Sequence, residues 1–322
     1  MSSDDQIHSE SLRQARAGSH QAFRALVEPY QAELQRHCYR MTGSFDDADD
    51  LVQETLFRAW RALGTYVSRG SFRAWLYRIA TNRTLDLVGS AQRRREIVNS
   101  AGEPSWLQPY PTDSEDETGD TVTELEAIGL AFVVAVQHLP GRQRSALLLR
   151  DVLGFSPAET AQALSTSVPA ANSLLQRARA TMARLGPSQE TVPPQDEQRD
   201  LVERFTEAWK TGDTDALLAL LDESAHLTMP PHRLEFVGPV EVADLLLDAE
   251  LMADFRLIDF VPVSASGEYG FATYVREPGG TVAVRHCVML FGHATRSASK
   301  ITGFTEDRIF DLLDLPATIV SK

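Results

Sequence analysis

Between Asp46 and Arg95 the chain reverses its charge, and few folds accommodate that reversal in so short a stretch. It opens with four acids, Asp46, Asp47, Asp49 and Asp50, running into Leu51-Val52-Gln53-Glu54-Thr55-Leu56-Phe57-Arg58-Ala59-Trp60. Apolar residues at 48, 51, 52, 56, 59 and 63 fall at helical spacing. The pattern predicts an amphipathic helix with its acids in the first turn, where the macrodipole favours negative charge. From Arg58 to Arg95 nine arginines face a single acid, Asp86, for a local net charge of +8. Tyr66, Phe72, Trp75 and Tyr77 are interleaved with them. Guanidinium groups hold phosphate and rings stack on unpaired bases, so this mixture suits single-stranded nucleic acid. An acidic, protein-binding helix is therefore joined directly to a nucleic-acid surface.

Two blocks carry a specific resemblance. Asp46-Asp47-Ala48-Asp49-Asp50-Leu51-Val52-Gln53-Glu54-Thr55, followed by Phe72-Arg73-Ala74-Trp75-Leu76-Tyr77-Arg78-Ile79-Ala80-Thr81-Asn82-Arg83-Thr84-Leu85-Asp86, resembles region 2 of bacterial sigma factors of the extracytoplasmic-function (ECF) class of the sigma-70 family. The resemblance implies that Asp46, Asp49, Asp50, Gln53 and Glu54 dock on the β′ clamp helices of core RNA polymerase. It also implies that Thr65, Tyr66 and Arg69, in the loop of residues 64–71, help capture a flipped base of the −10 element. Arg73, Trp75, Arg78, Asn82 and Arg83 on the following helix would contact promoter DNA, with Leu76, Ile79 and Leu85 on its buried face, and Arg93-Arg94-Arg95 would grip phosphate.

The overall net charge of −14 obscures this. Residues 1–100 carry +2, residues 101–126 carry −8, residues 139–186 carry +4 and residues 187–322 carry −12. Binding follows such local patches rather than the average. Before the acidic cluster, residues 11–44 read as a helical hairpin or a broken helix kinked at Pro29, with His20 and His37 on the surface. The polar start, MSSDDQIHSE, predicts no secretory signal, and no apolar run is long enough to span a membrane. Cys38 and Cys287 are too few and too distant for a disulfide framework, which points to reduced thiols and a cytoplasmic protein.

Residues 102–126 hold three prolines, eight acids and no basic residue, the composition of a linker, with Trp106, Leu107 and Tyr110 as an anchored patch. Beyond it, Leu139-Pro140-Gly141-Arg142-Gln143-Arg144 turns into an amphipathic helix. Ser156, Pro157 and Glu159 then supply a cap, a first-turn proline and a capping-box acid for a short helix ending near Leu164. After Ser165-Thr166-Ser167 a last helix runs from Pro169 to about Leu185, making a helix-turn-helix whose second helix suits the major groove. This resembles sigma region 4, which implies contact with the polymerase β flap and −35 reading by Asn172, Ser173, Gln176, Arg177 and Arg179.

A second linker, residues 187–198, leads to helices around Leu201–Trp209 and after Gly212-Asp213, a strand at residues 225–231, and a helix from Val240 to Leu247. Four strand-like segments follow, with Gly279-Gly280 marking a hairpin. Helices before an antiparallel sheet are an α+β layout. The order, with Trp209…Gly212-Asp213 and Met229-Pro230-Pro231…Gly238, resembles the SnoaL-like, or nuclear-transport-factor-2-like, cone that some ECF sigma factors carry.

The expected chain is thus multidomain: two all-α sigma domains at residues 1–98 and 127–186, an acidic linker at 99–126, a second linker at 187–198, and an α+β SnoaL-like domain at 199–322. The expected function is that of an RNA polymerase sigma factor regulated by its C-terminal domain, with core polymerase and promoter DNA as partners. Two other readings stay open: an ordinary helix-turn-helix regulator, and a SnoaL-type enzyme or ligand sensor carried on a DNA-binding module. Arg285 and His286, adjacent on a strand and so expected on opposite faces, with His226, His232 and Glu235 nearer the mouth of the cone, form no nucleophile, paired-carboxylate or metal signature. No enzyme activity, cofactor, metal or membrane partner is expected, whereas a small-molecule ligand of the cone is left open.

Overall fold

The computed structural model describes residues 3–66, 71–92, 107–111, 130–185, 195–232, 234–292 and 296–321. The chain divides into two units, one holding residues 1–96 with 135–186 and the other residues 97–134 with 187–322.

The first unit opens with α1 (Ser3–Arg16) and α2 (His20–Thr42). Ser19 caps α2 by accepting from the Ala22 amide, and Gly43, at φ +73°, closes it in the left-handed conformation with a bond to the Tyr39 carbonyl. The helix runs on through Pro29. Its apolar stripe, including Phe23, Leu26, Val27, Leu34 and Cys38, is buried. The expected amphipathic helix is α3 (Phe45–Ala62), with Ser44 as cap and Asp46 and Asp47 in its first turn. A 3-10 turn, Leu63–Thr65, follows, and α4 (Phe72–Gln92) crosses both α2 and α3.

After α5 (Leu130–Gln137), α6 (Gly141–Leu147) passes into one π-helical turn, Leu148–Val152. Gly154, at φ +66°, then delivers Phe155 into the core, where it is 1% exposed. The capping box forms as its sequence demands: the Ser156 hydroxyl accepts from the Glu159 amide, and the Glu159 carboxylate accepts from the Ser156 amide at 3.0 Å. These residues open α7 (Pro157–Ala163), and α8 (Val168–Leu185) follows after a tight turn.

A buried cation and a side-chain amide fix the second helical region to the first. The Gln137 amide donates to the Arg40 carbonyl at 3.0 Å, and the Arg144 guanidinium donates to the Met41 carbonyl. Both acceptors lie in the last turn of α2, where carbonyls lack helical partners and the dipole favours a cation. Arg144 is 4% exposed, also donates to the carbonyls of Gln137 and Leu139, and is drawn down by burial to about 9, so it stays charged at neutral pH. His37 departs from its expected surface place. It is fully buried, bonded to Thr81 through Nε2 and set edge-on to Tyr77, because α2 turns this face toward α4.

The second unit contains α9 (Gln195–Thr211), α10 (Thr214–Leu220), β1 (Leu221–Thr228), β2 (Glu235–Val237) and α11 (Pro239–Leu247), then β3 (Ile258–Ala265), β4 (Glu268–Arg276), β5 (Val282–Phe291), β6 (Ala298–Phe304), α12 (Asp307–Leu312) and β7 (Thr318–Val320). The sheet order is β2-β1-β6-β5-β4-β3, with β1 and β6 parallel and the other neighbours antiparallel, while β7 pairs with β5. Phe205 and Trp209 of α9, Leu217 of α10 and Leu246 of α11 meet Phe271 and Phe291 of the sheet in one core. The Trp209…Gly212-Asp213 signature has a direct cause. Trp209 donates to the Leu246 carbonyl at 2.7 Å, Gly212 takes φ +65° where a Cβ would stand 2.5 Å from the Phe255 ring, and Asp213 caps α10. A register shift opposite Thr273 and Tyr274 leaves His286 as the extra residue between Arg285 and Cys287.

One piece of the acidic linker belongs to this unit. Tyr110 exchanges two bonds with Ser266, accepting from its amide at 2.7 Å and donating to its hydroxyl at 2.8 Å, and Pro111 bridges Ala265. Leu107 is 3% exposed, so the expected anchored patch forms at Leu107 and Tyr110, while Trp106 lies outside the described residues.

Candidate nucleic-acid interface

Three surfaces arise from these elements. On α3, Asp49, Asp50 and Gln53 are exposed, with Asp46 and Glu54 half-buried beside them. Gln53 donates to Asp49 at 2.8 Å, and Glu54 is held below the usual carboxylate range first by its 2.6 Å bond from Arg58. Phe57, 60% exposed, stands one turn beyond Gln53 on this face with Arg61 over its ring. Sequence reading passed over Phe57 because its position lies off the apolar stripe.

The second surface is α4, and the structure divides the residues assigned to it. Asn82 is exposed and Arg78 half-buried. Arg83 turns back across α3 instead, 3.5 Å from Glu54 and 2.9 Å from Asp86. Thr65 is exposed and donates to the Ala62 carbonyl. Tyr66 and Trp75 are 6% and 4% exposed, and their rings pack on each other and on Phe72. In this arrangement they build core and present no face to a base. Arg69 and Arg93-Arg94-Arg95 lie outside the described residues.

Arg73 is the informative case. It bonds both carboxylate oxygens of Glu33, donates to the Leu153 carbonyl at 3.2 Å, and lies over the rings of Tyr77 and Phe155. It therefore ties α2 and α4 to the entry of the helix-turn-helix. Glu33 gave no sequence signal. Arg144 gave a weak one, since it precedes Leu147 and Leu148 by three and four residues and so shares their buried face.

The third surface is α8. Asn172, Ser173, Gln176, Arg177 and Arg179 are exposed, while Ala171, Leu175 and Ala178 are buried behind them. Arg177 donates to the Ser173 carbonyl of its own helix. Arg179 makes a two-pronged bond to Asp151, at 2.9 and 2.6 Å. One exposed polar stripe along a helix that follows a short capped helix is the geometry of major-groove reading.

Comparison with known proteins decides the identity. The model for Sigma-70 region 2 matches residues 26–94, and that for Sigma-70, region 4 matches residues 130–182. The ECF RNA polymerase sigma factor SigG of Mycobacterium tuberculosis is 38% identical over 319 residues, covering 92% of this chain and 85% of SigG. The chain belongs to the ECF RNA polymerase sigma factors. The ECF sigma factor BldN of Streptomyces coelicolor is 33% identical over 58% of this chain and 68% of its own. Across nearly the whole length the fold is that of the M. tuberculosis ECF sigma factor SigJ, with a TM-score of 0.63 at 21% identity, covering 90% of this chain and 99% of SigJ. This sigma factor directs promoter-specific initiation as part of RNA polymerase. Its C-terminal domain has the expected α+β layout, with helices packed on a mixed sheet.

Among the described residues no His, Cys, Asp and Glu group is arranged to hold a metal, and no helix is long and apolar enough to cross a membrane. Arg285 bonds Asp311 and the carbonyls of Leu315 and Pro316, while His286, its pKa lowered first by burial, takes its backbone partner at Met252. His226 and Glu235 pair at 3.0 Å across the β1–β2 hairpin.

Proposed function

We propose that Asp46, Asp49, Asp50, Gln53 and Glu54, with Phe57, form the face that docks on the β′ clamp helices of core polymerase, and that Asn172, Ser173, Gln176 and Arg177 read the −35 element while region 4 rests on the β flap. The carrying observation is the polar stripe of α8, exposed along its length with Ala171, Leu175 and Ala178 packed beneath. On this reading Arg78 and Asn82 reach −10 DNA. Arg73 becomes available to it only when α4 parts from the helix-turn-helix, so the arrangement described is a closed state of the sigma regions.

The C-terminal domain regulates that state. Run-off transcription with core polymerase tests it: a variant truncated at Gly186 transcribes more than the full chain. Loss of activity would make the domain an assistant of initiation, and equal activity would discard regulation altogether. A catalytic role for the domain has one specific support, the His226–Glu235 pair. That pair lies on β1 and β2, whereas the domain's cavity of about 680 Å³ is lined by α9, β3 and β4. The non-enzymatic reading is favoured accordingly.

A further inference from the structure

The cavity between α9 and the β3–β4 hairpin shares no residue with the faces proposed for polymerase and promoter. Its volume, about 680 Å³, lies within the range of small-molecule pockets. The floor is aromatic. Phe260 and Tyr269 are half-buried, and Phe260 stands edge-on to Trp209 and Phe271 at 5.3 and 5.2 Å, so these rings are held in place. Residues 260, 262 and 264 alternate onto one face of β3, and the edge strand tolerates Pro262, whose missing N–H no neighbour needs.

The helix wall carries a patterned stripe, Arg199, Glu203, Glu207 and Lys210, at spacings of four, four and three residues. The Arg199 guanidinium lies 5.7 Å from the centre of the Tyr269 ring, and the Lys210 ammonium lies 5.4 Å from that of Phe260. Both ring faces thus already attract cations, as the negative face of an aromatic ring does. Between the two cations the polar groups of the wall are the Glu203 and Glu207 carboxylates and the Thr206 hydroxyl, beside apolar Val202. The surrounding segment, residues 187–322, carries eleven basic residues against 23 acids, so its field draws positive solutes and repels anions.

We infer that this cavity binds a flat, apolar organic cation, a ring system bearing a protonated or quaternary nitrogen. Its ring system lies on the Phe260 and Tyr269 floor and its charge faces Glu203 and Glu207. The two resident cations swing into solvent as the ligand replaces them over the rings. A sugar finds too little polar lining, and a carboxylate or phosphate meets the two glutamates.

The test is titration calorimetry on the nucleic-acid-free full-length protein, with proflavine, a planar acridine cation, and anilinonaphthalene sulfonate, an aromatic anion of comparable size. Proflavine binds saturably with one-to-one stoichiometry, and the sulfonate does not. Glu203→Gln with Glu207→Gln weakens proflavine about tenfold. Arg199→Gln with Lys210→Gln tightens it by about threefold or more, since competition for the rings is removed. All four side chains are exposed, and unchanged thermal unfolding of the variants verifies their folding. Absence of saturable proflavine binding, equal binding of the sulfonate, or indifference to the paired glutamate substitutions overturns the assignment. Polymerase binding by the same variants stays at the level of the parent chain, which separates this site from the docking face on α3.

Discussion

Arg73, on the helix expected to face the −10 element, lies with its guanidinium carbon 4.4 Å from the centre of the Phe155 ring, at the entry to the helix-turn-helix. The same side chain grips Glu33 on α2 and the Leu153 carbonyl. Lysine preserves the charge at this position and loses the planar stack and the forked bond. Arg73→Lys is therefore expected to weaken the joint between the sigma regions by about 1–2 kcal/mol. Faster hydrogen exchange in both α4 and the Leu153–Phe155 segment is the readout, and exchange identical to the parent chain would count against the joint.

Core binding is tested on α3. Asp49 and Asp50 are exposed, so replacing both with lysine leaves the packing of Leu51 and Val52 intact. Charges at a docking rim steer association, and their reversal removes the complementarity on which the proposed docking depends. Co-purification with core polymerase is expected to vanish while the circular-dichroism spectrum and melting temperature hold.

On α8 the two arginines are expected to differ. Arg177 is bonded within its own helix and is open to DNA, so Arg177→Ala is expected to cost about 1–3 kcal/mol on the cognate −35 sequence and far less on others. Arg179 is already clamped by Asp151 and orients the helix. Its replacement lowers affinity for all sequences alike. Electrophoretic shifts of holoenzyme on matched and mismatched −35 sites distinguish the two patterns.

Acid weakens the first unit through His37. Burial, with Arg40 and Arg73 adding to it, depresses this imidazole to about 3, whereas in the unfolded chain it titrates near the ordinary histidine value of about 6.5. Between those values the unfolded state binds the extra proton. Stability is therefore intact above about pH 6.5 and falls by up to about 1.4 kcal/mol per unit as the pH drops toward 3. Urea midpoints measured at pH 7 and 5 are expected to separate less in His37→Asn than in the parent chain, by the equivalent of about one proton.

Most elements were legible in the sequence because their signals are local. Ser156-Pro157 and Glu159 specify a capped helix without reference to anything distant, and Gly212-Asp213 ends one helix and begins the next. The polar stripe of α8 was legible for the same reason. What escaped depends on partners far away in the chain. Interleaving with arginine marked Tyr66 and Trp75 for base stacking, yet α1 and α2 supply an apolar surface that both rings fill. Trp75→Ala is accordingly expected to cost about 3–5 kcal/mol of stability, measurable by denaturant unfolding, rather than to act on melting alone. His37 was misplaced for a related reason, since only the crossing of α4 shows which face of α2 is covered.

The bonds between Tyr110 and Ser266 bear on reach. Residues 93–129 join α4 to α5, and Tyr110 and Pro111 are pinned within that span. The pin divides that span in two, Gln92 to Leu107 and Pro111 to Leu130, whose reach is at most roughly 50 and 65 Å. Both halves of the span are thus anchored at the turn between β3 and β4, and Ser264, on the wall of the cavity, lies two residues from the pin.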